Sequence, residues 1–313
     1  MSKPCDPKAQ TPIPCVLSAS ETAARTPYLE LVREIELLLW DDSVEVPARL
    51  VQRLPGAGSL FVMPAMDRHI AITKLITFTP ANAGTNRATI QGDVVVFDIA
   101  SGQRRLILDG PTVTARRTAA VSLLAAQLLA PNKSGPLLIV GAGAQGLAHL
   151  EAFAQGLGVT EVYIASRADA SAKALASRAR VQGIDARVVS DPNAALSDCP
   201  LVVTCTPAQA VVLDGTPRAD AFLAAVGSFT PTMVELGSNL CQHTARHGLI
   251  AVDTRHAIAE AGDLLQAGLD VGLMPTLSDL VRGDPVGPRG PVLFKSCGWA
   301  GWDLAAARAA MRY

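Results

Sequence analysis

The sequence predicts an α/β chain in which a dinucleotide-binding domain with a parallel sheet follows a separate α+β domain. Three observations predict it. Residues 137–146 read Leu-Leu-Ile-Val-Gly-Ala-Gly-Ala-Gln-Gly, an apolar strand running into Gly141, Gly143 and Gly146 ahead of an alanine-rich helical stretch. From Gly135 onward, short apolar strands alternate with helical patterns, as crossover connections in a parallel sheet require. Before that point the strands alternate with period two, as in Thr89-Ile90-Gln91-Gly92-Asp93-Val94, and short turns join them, which suits an antiparallel sheet.

The elements follow in order. After a loose, proline-bearing start, a helix is expected over about 27–39, with Thr26 placed to cap it and Pro27 tolerated at the first helical position. Strands are expected over 46–54, 59–63, 70–79, 88–98 and 103–108. A long helix over about 114–129 then carries the chain into the second domain. There a strand over 136–140, the glycine turn and a helix over 145–156 lead to a strand over 161–165. Strands over 187–190, 201–205, 222–226 and 249–253 bring the count to about six, that of a complete dinucleotide fold. Residues 283–291 read as a loop, and a terminal helix over 303–311 is left to pack back on the first domain.

The glycine turn carries the chemistry. Its first glycine permits the tight turn, its second lets backbone approach a pyrophosphate, and its third allows close packing of helix on strand. The helix N-terminus then faces the negative charge. Gly141, Ala142, Gly143, Ala144, Gln145 and Gly146 are therefore the expected cofactor cradle. An NAD enzyme usually places Asp or Glu about 20 residues past this motif, on the ribose 2′-hydroxyl. Here Ser166 and Arg167 stand instead. A guanidinium fork suits a phosphate dianion and no carboxylate repels it, so NADPH is expected to be preferred over NADH; a solvated loop arginine is the alternative.

Composition narrows the rest. The 313 residues give room for two domains with a sizeable core. A net charge of −1 argues against a nucleic-acid or anionic-membrane partner. Mean hydropathy is +0.28, yet no apolar run reaches the roughly 18 residues of a spanning helix, so alanine and valine of a buried core account for it. The opening Met-Ser-Lys-Pro-Cys-Asp has no signal-peptide pattern, and a cytoplasmic setting is expected. The six cysteines, Cys5, Cys15, Cys199, Cys205, Cys241 and Cys297, show no CxxC or zinc-like spacing and read as reduced thiols. His243 and His247 sit at helical i, i+4 spacing, but no third ligand is evident, so no metal is expected.

Three cations stand out in the first domain and at the start of the long helix: Arg49, Lys74 and Arg117. Lys74 lies within the apolar run Thr73-Lys74-Leu75-Ile76, where a lysine must snorkel to solvent or meet an anion. Converging, the three would clamp a carboxylate. Spacing alone equally admits solvated faces or structural ion pairs.

Pro47-Ala48-Arg49, Met63-Pro64-Ala65, Thr73-Lys74-Leu75, Arg116-Arg117-Thr118-Ala119-Ala120, the glycine motif, Ala225-Val226-Gly227, Glu260-Ala261-Gly262-Asp263 and Phe294-Lys295-Ser296-Cys297-Gly298 follow one another in an order that resembles the ornithine cyclodeaminase/mu-crystallin family. The resemblance covers nearly the whole chain past Val44. It implies a Rossmann domain inserted into an α+β domain for substrate binding and dimerisation, here 119–291 within 1–118 plus 292–313, and a homodimer. By motif, it assigns Arg49, Lys74 and Arg117 to the substrate carboxylate, with Lys74 and Arg117 catalytic. Thr118, Thr206, Val226, Gly227 and Ser228 go to the cofactor.

Departures from the pattern point to the substrate. Ornithine cyclodeaminases carry an aspartate after Ala-Val-Gly; here the stretch reads Gly227-Ser228-Phe229-Thr230-Pro231, with Phe229 at that place. A second acid upstream of Met-Pro is replaced near Phe61. An aromatic ring accepts no proton and pairs with no ammonium as a carboxylate does, so ornithine deamination is disfavoured. A substrate with a carboxylate, a ring and no free distal amine fits: the cyclic ketimines Δ1-pyrroline-2-carboxylate and Δ1-piperideine-2-carboxylate, reduced to L-proline and L-pipecolate, with Phe61 and Phe229 walling the ring. An alanine-type amino-acid dehydrogenase and a non-catalytic NADPH-dependent ligand-binding protein of mu-crystallin type are the alternatives.

Overall fold

The structure, a computed structural model, describes residues 15–82, 85, 87–207, 209–283, 287 and 289–312. Cys5 and the chain start discussed above lie outside the described residues, as do 284–286 and 288 of the 283–291 loop.

Six strands form the first sheet: β1 (Cys15–Val16), β2 (Leu50–Arg53), β3 (Ser59–Met66), β4 (Ile70–Phe78), β5 (Ile90–Asp98) and β6 (Arg104–Asp109). Their spatial order is β1-β6-β5-β4-β3-β2, antiparallel throughout except that β1 runs parallel to β6. The expected strand over 46–54 shrinks to the exposed edge Leu50–Arg53. Pro47, which has no N–H for a ladder, stands before it.

Two helices precede β2: α1 (Ala19–Arg25) and α2 (Tyr28–Trp40). Thr26 does not cap α2 as expected. It ends α1, and its hydroxyl donates to the Thr22 carbonyl at 2.7 Å. The missed helix α1 carries its own signal, the Ser18-x-x-Glu21 capping box. After β6 the long helix α3 (Gly110–Leu129) starts a turn before the expected 114, because Asp109 accepts the Thr112 amide at 2.9 Å and Pro111 fits the first turn. Buried on most sides, α3 packs against α2 and β5.

The second sheet is parallel and has seven strands. In chain order its half of the molecule runs β7 (Leu137–Val140), α4 (Ala144–Leu157), β8 (Glu161–Ala165), α5 (Asp169–Val181), β9 (Asp185–Val188), α6 (Pro192–Ala195) and β10 (Leu201–Thr204). It continues through β11 (Gln209–Leu213), β12 (Phe222–Ala225), β13 (Val234–Leu236), α7 (Ser238–His247), β14 (Leu249–Val252), α8 (Ala257–Glu260), α9 (Gly262–Gln266), α10 (Leu277–Arg282) and β15 (Val292–Lys295). The order β9-β8-β7-β10-β12-β15-β14 is the doubly wound arrangement with a strand slipped between its fifth and sixth. The fold class is thus the one expected, a Rossmann-type α/β unit beside an α+β unit.

That extra strand corrects the sequence reading, which closed the sheet at 253 and gave residues from 292 to the first domain. Val292–Lys295 is fully buried and hydrogen-bonded on both edges, to β12 and β14. A four-residue apolar run after a loop carries no period that says which sheet it joins. The small parallel pair β11–β13 was likewise not foreseen.

Beyond β15 the chain crosses back as α11 (Ala300–Met311), which packs on α2, α3, β3 and β4. Alanines at 305–307, 309 and 310 let it approach closely, and Trp302 is fully buried. The five described cysteines are unpaired. Among the described residues no helix is long and apolar enough to cross a membrane.

Candidate active site

At the C-terminal edge of β7, the three glycines play distinct parts. Gly141 has φ +117°, a conformation L side chains rarely adopt, and its amide bonds the Ala165 carbonyl at 2.9 Å. Nothing lies within 4 Å of where a Cβ on Gly143 would stand, so that side of the backbone is open to an incoming group. A Cβ on Gly146 would sit 2.2 Å from the Gly141 carbonyl oxygen, so only glycine allows the helix this close to the turn. No side chain caps α4, which leaves its first N–H groups available to an anion. Ala142 is half-buried, and Ala144 exposed, at the same turn. Beside it, Gln145 Oε1 and Thr114 Oγ1 are buried without partners although Gln145 Nε2 reaches the Thr114 carbonyl. Orphaned polar atoms and an open glycine fit a bound dinucleotide.

Ser166 and Arg167 follow β8 directly, next to the strand end that Gly141 holds. Arg167 is exposed and, among the described residues, makes no ion pair or hydrogen bond. The acid nearest in sequence, Asp169, is paired with Lys173 at 2.7 Å.

Lys74 comes from the middle of β4 and is 1% exposed. Its Nζ lies 2.8 Å from Asp303 Oδ2, and the other oxygen of the same carboxylate accepts from Arg117 Nε at 3.2 Å. Arg117 thus spends its inner edge on Asp303. Among the described residues neither terminal nitrogen of its guanidinium has a hydrogen-bond partner. Gly298 backs this fork: its φ is +89°, and a Cβ there would lie 3.4 Å from Arg117 Nη2. The Gly298 turn is itself fixed by Asp253, whose Oδ2 accepts from the Ser296 hydroxyl and from the amides of Cys297 and Gly298.

Arg49 stands across from these groups and pairs with Glu260 of α8 at 2.6 Å, joining the two domains. Burial raises the Glu260 carboxyl against the pull of Arg49, and its Oε2 is buried without a hydrogen bond. Burial also pushes Lys74 down to about 8, opposed by Asp303 and reinforced by the neighbouring charges of Arg117 and Arg49. Two of the three cations foreseen in the sequence, Lys74 and Arg117, thus share one carboxylate, and Arg49 is near enough to act on Lys74 by charge.

The family model for the ornithine cyclodeaminase/mu-crystallin family matches residues 15–311. The chain belongs to this family. It is 35% identical over 306 residues to the Δ1-pyrroline-2-carboxylate/Δ1-piperideine-2-carboxylate reductase of Azospirillum brasilense, with 96% of each chain covered. It is 36% identical over 276 residues to the ketimine reductase mu-crystallin of Mus musculus, covering 86% of this chain and 85% of that one. The fold matches Thermococcus litoralis Δ1-pyrroline-2-carboxylate reductase, solved with NADH and L-proline, at a TM-score of 0.86 and 22% identity over 95% of this chain and 96% of that one.

The other residues that the family resemblance assigned to ligands are placed as follows. Phe61 pairs with Ile76 in register while Met63 pairs with Lys74, so Phe61 shares a sheet face with Lys74, where it is half-buried against the core. Phe229 is half-buried against the apolar cluster that includes Leu236, Leu240 and Leu264. The Thr118 hydroxyl is committed to the Thr114 carbonyl. Thr206 gives both its amide and its hydroxyl to Glu235 Oε1, and Gly227 gives its amide to Oε2 at 2.7 Å. Val226 bonds the Thr204 carbonyl through its amide. Ser228 is fully buried, its side chain bonded to Asp263 and Lys295.

Sequence reasoning missed what holds these loops. Glu235, Asp263 and Lys295 form a buried network, with Lys295 Nζ 2.8 Å from Asp263 and Asp263 accepting the amides of Glu235 and Leu236. Burial alone would raise Asp263, but Lys295 and Ser228 outweigh it and the carboxyl is lowered. Asp303 was missed too, read only as the start of a helix. Its signal was the lysine inside the apolar strand β4, which needed a buried anion from somewhere. Arg116 turns out structural, donating to the Thr26 carbonyl at 2.7 Å and lying 3.9 Å over the Tyr28 ring. His243 and His247 stack on each other at 4.7 Å, and no metal-binding group occurs among the described residues.

Gly146→Ala tests the cradle. The added methyl must displace the Gly141 carbonyl, so dinucleotide binding measured by nucleotide fluorescence should weaken by about tenfold or more, while substrate KM at saturating cofactor should change little. Unaltered binding would count against the glycine turn as the pyrophosphate site.

Proposed function

We propose that this chain reduces cyclic ketimines with NADPH, converting Δ1-pyrroline-2-carboxylate to L-proline and Δ1-piperideine-2-carboxylate to L-pipecolate. One observation carries the reading: Arg117 shares Asp303 with the buried Lys74 yet keeps both terminal nitrogens of its guanidinium without a partner among the described residues. The names of the Azospirillum and mouse relatives support it.

Arg117 takes the substrate carboxylate bidentately, Lys74 adds a point charge, and Arg49 leaves Glu260 to close the third side. Held so, the C=N carbon has a fixed place, and positioning is the protein's main contribution. NADPH, when bound, supplies the hydride that adds to that carbon. A protonated imine then needs no further proton. For a neutral imine, Lys74 is cationic at neutral pH yet titrates near 8, so it can give a proton to the ring nitrogen. The preference for NADPH rests on the unpartnered, exposed Arg167.

We also read the protein as a homodimer. Leu60, Val62, Leu75, Val95 and Phe97 share the sheet face opposite Lys74, with Leu75 and Phe97 exposed. An antiparallel sheet with an apolar second face wants it covered, and a second copy supplies that by symmetry. Sedimentation should give a dimer at micromolar concentration and a monomer for Phe97→Asp; a wild-type monomer would refute the pairing.

Steady-state turnover of NADPH with each cyclic imine tests the main reading. The wild type should reduce both and leave ornithine untouched; the reverse would sink it. Lys74→Met and Arg117→Met should each lower kcat/KM for the imine by roughly two to three decades, since each removes a desolvated charge that also places the reacting carbon. With wild type, kcat/KM should fall as pH rises through about 8, where Lys74 loses its proton.

Cofactor choice is a separate measurement. Arg167→Ala should lower kcat/KM for NADPH by about 10- to 100-fold, the worth of charge-assisted hydrogen bonds to a phosphate, and leave NADH nearly unchanged. Equal use of both cofactors by the wild type would defeat the assignment.

A further inference from the structure

We propose that Asp303 is a positioning residue for the substrate carboxylate: from the C-terminal helix it fixes Lys74 and Arg117 side by side and turns the open fork of Arg117 toward the ligand. The inference rests on the ketimine-reductase reading of the same site.

The geometry is specific. Asp303 is fully buried, and its two oxygens serve two different cations, one each. On Arg117 it engages Nε only, at 3.2 Å. A carboxylate meeting an arginine for stability alone would take the fork bidentately, the stronger arrangement. By taking the single Nε edge, Asp303 leaves both terminal nitrogens for a second carboxylate. Gly298 stands beside these nitrogens and brings no side chain against them; a Cβ there would lie 3.4 Å from Nη2.

Two like charges must also be brought together here. Lys74 and Arg117 come from β4 and α3, and without a shared anion each repels the other in a buried setting. An anion contributed by either element alone would serve one cation better than the other. Asp303 reaches both because α11 packs on β4 and α3 at once. It also cancels one of the two charges, so a single carboxylate completes the neutralisation.

Asp303 therefore acts through Lys74 and Arg117, and the test is whether its effect disappears with theirs. Asp303→Asn keeps the volume and removes the charge. In the holoenzyme it should lower kcat/KM for the cyclic imine about 100-fold, mainly through KM, while NADPH binding stays within about threefold. In a Lys74→Met background the same substitution should cost less than about tenfold, since the shared arrangement is already broken. The alkaline fall of kcat/KM should move below its wild-type position, because Lys74 loses its nearest anion. Additive losses, or an alkaline limb that stays put, would overturn the proposal.

Asp303→Glu is the second variant, for the case that Asp303→Asn does not fold. It keeps the charge but moves the oxygens, so its alkaline limb should stay near that of wild type while kcat/KM falls by tenfold or more. Full activity in Asp303→Glu would overturn the positioning role. If wild type turns over neither imine, the reading of function fails by itself. An NMR titration of the Lys74 ammonium in wild type and both variants then still decides: its midpoint falls in Asp303→Asn if Asp303 holds the pair, and is unmoved if not.

Discussion

Lys74, Asp303 and Arg117 are three buried charges on three elements, and the architecture follows from the need to keep them together. An ammonium in the middle of an apolar strand is tolerated only beside an anion, and a buried ion pair adds little stability over well-packed apolar groups. Arg117 and Asp303 are 186 residues apart, with the whole nucleotide domain between them. The chain crosses out of the first sheet along α3 and returns through β15 into α11. The return brings Asp303 within 2.8 Å of Lys74 Nζ, so the cluster is complete only once the chain has passed through the second sheet and come back.

Helix α3 is the shaft between the two ends of the site. Arg117 faces the substrate end. One turn on, Ser122 meets His149 of α4 at 3.0 Å, and His149 reaches the Gln145 carbonyl at 2.8 Å. Burial holds His149 down to about 4, so the ring stays neutral and serves as a strut between helices. Because α4 begins at the glycine turn, the pyrophosphate cradle and the guanidinium of Arg117 are fixed relative to each other through two packed helices. Arg116 anchors the same shaft to the end of α1 through Thr26 and to α2 through Tyr28. Near the cluster, the Arg49–Glu260 pair joins the two domains, with side chains only 21% and 20% exposed.

The parallel sheet, the glycine cradle and the three cations were legible because each leaves a local mark: a period, a spacing, a charge in an apolar run. The partners were not. Asp303, Glu235, Asp263 and Lys295 act through contacts between elements far apart in sequence, and nothing beside Asp303 in Gly301-Trp302-Asp303-Leu304 says that it faces a lysine. The strand Val292–Lys295 failed for the same reason, since a buried four-residue run fits either sheet. Thr206 and Ser228 resembled cofactor ligands by motif, yet their polar atoms are claimed by Glu235 and by the Asp263–Lys295 pair, a competition visible only once the loops are folded together.

Charge balance limits what this site can take. Arg49, Lys74 and Arg117 set against Asp303 and Glu260 leave one net positive charge, which a single carboxylate cancels. A dicarboxylate would leave one anion without a partner. On the proposed reading, in which a ligand carboxylate draws Arg49 away, the unpartnered Oε2 of Glu260 is an acceptor that suits an N–H on the carbon next to that carboxylate. A ring with a single carboxylate and its nitrogen next to the carboxyl-bearing carbon meets both conditions at once, which is why the cluster favours a cyclic imino acid over a dicarboxylate.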